Sequence, residues 1–290
     1  MAGSWAFTGT HRPGISILLL LLGTAYATGW WRLWRRARRL VPWWRPALTL
    51  AGLGSLALAL LSPLDALAHR LFVAHMVQHV LLVAVAAPAL LLADPLAALL
   101  WALPAGARVR AGRLLVRGAP LRRIWWAVTR APVAWLGYAL VLWLWHLPPA
   151  YDAALEDRLL HDLEHLAFFA SAVLFWWPVI NPAPHLGRAL HPGSRVVYLV
   201  LGALQSAALG LLLAASPIVL YSSYAAPPEP GTLNPLDDQA LGGVVMWGFS
   251  GAVDMLAVLL LLYKFFTMDD HEHLAKTERR GRRRDVAPSP

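Results

Sequence analysis

The sequence predicts an all-α, polytopic transmembrane helical bundle of about seven helices, and three observations predict it. Of 290 residues, 58% are hydrophobic and only 14% charged, against roughly 25% charged in an average soluble domain. That is too little polar material to cover a globular surface. Seven stretches are apolar over about the 20 residues that a hydrocarbon core requires. Fifteen tryptophans are more amphipathic rings than an ordinary core uses. These features argue against a soluble enzyme or a soluble nucleic-acid binder, and make the lipid bilayer the chain's surroundings.

The stretches run over 14–31, 45–62, 70–93, 131–148, 160–180, 195–216 and 239–263. The first is followed by no clear A-x-A cleavage site and reads as a retained helix. Pro88 interrupts the third, which is tolerable where neighbouring helices satisfy the freed carbonyl. Basic residues set the orientation. With the N-terminus outside and the C-terminus inside, loops 32–45, 94–130 and 181–195 and the tail from Lys264 all lie inside. They carry 22 of the 25 Lys and Arg, leaving Arg12, Arg70 and Arg158 outside. This is the positive-inside pattern. It accounts for the net charge of +9 without a nucleic-acid partner.

The doublets Trp30–Trp31, Trp43–Trp44, Trp125–Trp126 and Trp176–Trp177 fall at the expected inner helix ends, where indole prefers the headgroup level. Asp152, Glu156, Asp157, Glu229, Asp237 and Asp238 fall in outer loops. Segment 94–130, with its prolines and glycines, has room for a short interfacial helix. One transmembrane domain is expected over 1–265, followed by a basic, disordered cytoplasmic tail over 266–290 that can touch anionic lipid.

There is no cysteine, which removes disulfides, thiolate metal sites and a cysteine nucleophile and leaves His, Met and carboxylates as metal ligands. Ionisable groups in membrane helices are costly and mark candidate sites. His75 and His79 are four apart, hence about 40° apart on one helix face, and Met76 borders that face with a thioether. His161 and His165 repeat the spacing, with Glu164 beside them. His146 closes the fourth helix, and Asp238 and Met246 belong to the start of the seventh. Each pair alone is also compatible with packing histidines bonded to backbone.

Depth separates these readings. At about 1.5 Å per residue, His75, His79, His146, His161, His165 and Met246 all fall within roughly 15 Å of the outer surface. Packing histidines would scatter through the membrane instead. Imidazole suits copper, zinc, iron and nickel, and methionine sulfur tilts the choice towards copper as Cu(I). Cu(II), zinc and iron stay open. Glu164 and Asp238 are either ligands or groups that orient imidazoles from behind. His185, His191, His271 and His273 lie in loop or tail and are set aside. Asp254, the one deep carboxylate, reads as a helix-joining group, with Gln205, Ser206 and Gln78 as partners and a proton or ion relay as the alternative.

The ordered set His75-Met76-Val77-Gln78-His79, Trp145-His146-Leu147-Pro148, His161-x-x-x-His165 and Asp238-Gln239-x-x-Gly242-Gly243-x-x-Met246-Trp247 resembles the CtaG-type cytochrome c oxidase assembly factors. These are polytopic bacterial membrane proteins of about this length, and the resemblance covers roughly residues 45–265. It implies a multi-pass protein of the bacterial plasma membrane that helps to mature a haem–copper oxidase by supplying copper at the outer face. The implied partners are an oxidase subunit and an extracytoplasmic copper donor, and the implied role is metal handling, not catalysis. Three other readings compete: a bis-histidine haem b redox protein, a di-iron hydroxylase with histidine boxes, and a metal transporter. No HExxH, P-loop or nucleophile-elbow pattern is present.

Overall fold

A computed structural model describes residues 12–38, 42–116, 118–182, 185, 190–226 and 233–285, with side chains as far as Thr267. Among these residues every regular element is helical. In chain order they are α1 (Pro13–Ala37), α2 (Arg45–Leu61), α3 (Pro63–Ala68), α4 (Phe72–Val80), a π-helical turn (Leu81–Ala86) and α5 (Ala87–Ala93). Next come α6 (Pro95–Ala102), α7 (Ala105–Arg113), α8 (Pro120–Val128), α9 (Ala131–Trp145) and α10 (Pro148–Glu156). The chain ends with α11 (Arg158–Ile180), α12 (Pro192–Ala215), a 3₁₀ turn (Ser222–Tyr224) and α13 (Pro235–Asp285).

All seven expected stretches are helical, but not all are full spans. Five helices are long and apolar enough to cross a bilayer: α1, the continuous Phe72–Ala93 segment, α11, α12 and α13 as far as Thr267. Helix α2 has 17 residues, at the short end of the roughly 17–25 that a crossing needs. Helix α9 has 15 and reaches span length only together with α8, from which it bends by 65°. Beyond Thr267, α13 continues through the basic segment to Asp285. Glu229, the side chains of His271 and His273, and residues 286–290 lie outside the described residues.

The Phe72–Ala93 span is the structural centre. It packs against α2, α11 and α13, and it closes a ring with α13, α12, α9 and α11, each touching the next. Helix α1 lies outside, against α2 and α6, and turns Leu20 and Leu21 outward, as a lipid-facing helix does. Two crossings depend on glycine. A Cβ on Gly29 would stand 1.8 Å from the carbonyl oxygen of Ala98 in α6, and one on Gly210 would stand 2.8 Å from that of Gly243 in α13.

The π turn answers the Pro88 problem. Its wider hydrogen-bond loop, closed by Ala87 N–H donating to Leu82 O, leaves carbonyls of the preceding turn to neighbours. Ser55 of α2 donates its hydroxyl to Leu81 O at 2.9 Å, and the indole of Trp176 in α11 donates to Val83 O at 3.2 Å. At one end of the bundle, arginines lie over indole faces, including Arg108 over Trp101 at 4.2 Å and Arg38 over Trp34 at 4.4 Å. The other end holds α3, α10, the 3₁₀ turn and the histidines.

Candidate metal centre

The two histidine pairs sit on facing helices. Asp157 caps α11 by accepting from Leu159 and Leu160 N–H at 2.7 and 2.9 Å, so that His161, Glu164 and His165 lie in its first two turns. Asp238 fixes α4 from across the bundle: its two carboxylate oxygens accept from the N–H groups of Phe72 and Val73 at 2.6 and 3.0 Å. Those donors are orphaned at any helix start. A Cβ on Gly242 would come within 2.3 Å of the Phe72 ring, so only glycine lets α13 lie this close to α4. Gln239 accepts from Leu220 N–H at 2.7 Å and donates to the carbonyls of Leu213 and Ile218, latching the loop that leads to the 3₁₀ turn.

The result is one chamber. Ring centroids are 4.4 Å apart for His75 and His79, 4.3 Å for His161 and His165, 5.1 Å for His75 and His161, and 5.5 Å for His79 and His165. His146 stands 6.2 Å from His79. Glu164, fully buried, lies between the pairs, its oxygens 3.6 Å from the Nε2 atoms of His75 and His79. Phe168 lies against His79 at 4.4 Å.

One ring is fixed in tautomer by what lies behind it, and a second is held in orientation. His146 donates its Nδ1–H to Leu142 O at 2.7 Å, which leaves the lone pair on Nε2. His75 Nδ1 lies 2.9 Å from the Tyr151 hydroxyl and 3.1 Å from that of Tyr224. Tyr224 donates its own proton to Ala68 O, so towards His75 it can only accept. The Nδ1 of His75 is thus engaged from behind by both hydroxyls, and its Nε2 faces the chamber. Gln78, between the two α4 histidines, turns the other way and donates to Ala59 O at 2.7 Å and to Asp65 at 3.2 Å.

The chamber is polar without being internally paired. Both ring nitrogens of His79, His161 and His165, the Nε2 of His75 and His146, and both oxygens of Glu164 are buried with no hydrogen-bond partner among the described residues. Native interiors leave few such atoms, and a concentration of them is the mark of a group that accepts a ligand there. The donor atoms of His75, His161 and His165 lie within 4.8 Å of one another, as do those of His75, His79 and Glu164. Imidazole nitrogens bind a first-row ion at about 2.0–2.1 Å, so an inward shift of about 1 Å closes either set around one ion.

Of the residues expected from sequence, His75, His79, His146, His161, His165 and Glu164 come together. Met76 and Met246 are both buried and line, with His79, His146 and Phe168, a cavity of about 20 Å³ beneath the rings, roughly the space that one water needs. Asp238 stands apart from the donor sets and acts on His75 and His79 by capping their helix. Asp254 is buried in α13, away from the donor sets. His185 and His191 bond locally, at a turn and at the start of α12. Sequence reasoning missed Asp65 and His69, which form a third donor set with His161. Their i,i+4 spacing was the available signal. It also missed Tyr151, Tyr221 and Tyr224, which no local pattern connects to the histidines.

Compared with models of protein families, residues 24–267 match the cytochrome c oxidase caa3 assembly factor (Caa3_CtaG) family. No curated protein and no solved structure matches the chain.

Proposed function

The chain belongs to the cytochrome c oxidase caa3 assembly factor family, and from that premise we propose that its cargo is copper. The ion binds among His75, His79, His161, His165 and Glu164, with His146, Met76 and Met246 at hand, and passes to a subunit of a haem–copper oxidase. The observation that carries this reading is the set of buried, unpartnered nitrogens and oxygens that face one another in the chamber. Copper as Cu(I) fits a donor set in which imidazoles are joined by thioethers.

Delivery follows from the same chemistry. The chamber offers more imidazoles than one ion uses, so an ion exchanges ligands in place instead of being locked into one closed cage. An oxidase subunit docked at the histidine end takes the ion by the same exchange. An extracytoplasmic copper donor supplies it, and the protein sits in the bacterial plasma membrane with the histidine end outward, as the basic loops require. The protein accordingly moves an ion without turning over a substrate. Crowding speaks against haem between His79 and His146, whose rings are 6.2 Å apart: Phe168 lies in ring contact with both.

Metal analysis of the purified protein beside His75→Ala and His161→Ala tests the reading. Wild type is expected to hold copper stoichiometrically and each variant to lose most of it. Unchanged copper in both variants overturns the site. A strong Soret band in the wild type overturns copper as the cargo.

A further inference from the structure

The three donor sets are not independent. Asp65, His69 and His161 form one, His75, His161 and His165 the next, and His75, His79 and Glu164 the last. Each shares a residue with its neighbour: His161 joins the first to the second, and His75 the second to the third. Exposure falls from the first set to the other two. His69 is exposed, Asp65 and His161 are fully buried, and every member of the second and third sets is buried. The steps are short, with ring centroids 4.8 Å apart for His69 and His161, 5.1 Å for His161 and His75, and 4.4 Å for His75 and His79.

We propose that Asp65, His69 and His161 form a loading site at the rim, which takes a soft first-row metal ion from outside and passes it inward through His161. The inference rests on the reading of the chamber as a metal site and adds the route by which it fills. Sites that share a ligand exchange an ion without releasing it. At each step one bond to the outer neighbour is replaced by one to the inner neighbour, while the shared imidazole stays attached. His161 suits the pivot because it is fully buried and neither of its ring nitrogens has a hydrogen-bond partner. The nitrogen that carries its lone pair can therefore stay on the ion while Asp65 and His69 give way to His75 and His165.

Arg12 tunes the rim. Its guanidinium bonds Asp65 at 3.2 Å and also pairs with Asp162, while Gln78 donates to the same Asp65 oxygen. These contacts hold the Asp65 carboxylate in position beside His69. Arg12 also offsets the charge of Asp65 at the rim. The rim offers the imidazoles of His69 and His161, against those of His75, His79, His146, His161 and His165 in the chamber. The rim is therefore the weaker site, and the gradient runs inward.

The test measures uptake rate separately from capacity. Protein in lipid nanodiscs is mixed with Cu(I) held by a coloured bidentate chelator, and loss of the chelator's colour is followed in time. His69→Ala changes an exposed side chain, and it is expected to reach the wild-type copper content about tenfold more slowly or worse. His69→Cys keeps a copper-binding atom at the rim and restores the rate, which a purely structural imidazole would not allow. His69→Ala filling at the wild-type rate overturns the loading site, and so does a Cys variant as slow as Ala. A lowered end point at unchanged rate makes the rim a storage site and equally overturns the route. If wild type itself takes no copper, the chamber reading has failed, an outcome distinct from all of these.

Discussion

The two ends of the bundle treat polar groups in opposite ways. At the arginine end, charges stay near the surface and lie over indole rings, as with Arg35 over Trp31 and Arg130 over Trp126. A cavity of about 370 Å³ lies there too, between Leu91, Leu99, Trp125 and Trp177, and its walls are almost wholly apolar. At the histidine end the cavity is about 20 Å³, yet it adjoins a dense group of buried donors without partners. Volume and chemistry thus lie in different halves of the bundle. A large apolar cleft in such a protein is what lipid-facing packing leaves behind. Candidate function is located by donors that the fold buries and does not satisfy.

Substitutions can break this contrast, and the largest expected effect is at Asp238. Asp238→Ala strands two buried amides at the start of α4, and should lower stability in a detergent unfolding titration by about 3–4 kcal/mol, with loss of copper. Next is Gly29→Ala at the opposite end, where the new methyl meets the Ala98 carbonyl. It should cost about 2–3 kcal/mol in the same titration while leaving copper content unchanged. Copper loss in this variant would mean that the ends are coupled.

Tyr224→Phe removes the hydroxyl that fixes His75 and should weaken copper affinity about 10–100-fold, measured by competition with a chelator. His165→Leu should abolish binding and yet stabilise the metal-free protein by about 1 kcal/mol, because it replaces two unpartnered nitrogens with an apolar group. A loss of stability instead would show that this imidazole is a structural partner. The smallest effect is at Asp152, in α10 outside the spans. Burial pushes its carboxyl up, but the hydrogen bonds from Ser222 and Ser223 outweigh this and hold it below the ordinary carboxylate value. Its contribution is present above the unfolded pKa of about 4 and disappears as pH falls through the lower folded value. Protection factors at Ser222–Tyr224, the intrinsic over the observed exchange rate at each pH, should be flat from neutral pH down to that region and fall below it, and Asp152→Asn should lower them at all pH values.

Much of this was legible in local spacing. The helices follow from apolar length, and the i,i+4 pairs His75/His79 and His161/His165 follow from helical geometry. Helix α9 was harder, because the sequence runs apolar across Leu147 while Pro148 and Pro149 end the helix and start α10. The role of Asp238 was hidden because its partners lie 166 and 165 residues away. A carboxylate near histidines reads as a ligand until the amides that it caps are seen. The tyrosines were hidden for the same reason, since Tyr151 and Tyr224 meet His75 only once α10 and the 3₁₀ turn are folded over it. Arg12 counted in the sequence as one of three outer charges, and its contact with Asp65 gave that charge an address.

The π turn at Leu81–Ala86 carries one residue more than an α-helix of the same number of turns. One residue is about 100° of rotation, so the turn sets the angular register between the two halves of the span. Winding the same six residues at α pitch would leave the Pro88 half seated against α2 and α11 while swinging His75 and His79 about a quarter of a circle out of the chamber. The composition of the span would not change, and it would remain long and apolar enough to cross the bilayer. Its aim would be lost, which makes the winding of this segment, kept by the carbonyls handed to Ser55 and Trp176, as much a part of the candidate metal centre as the imidazoles themselves.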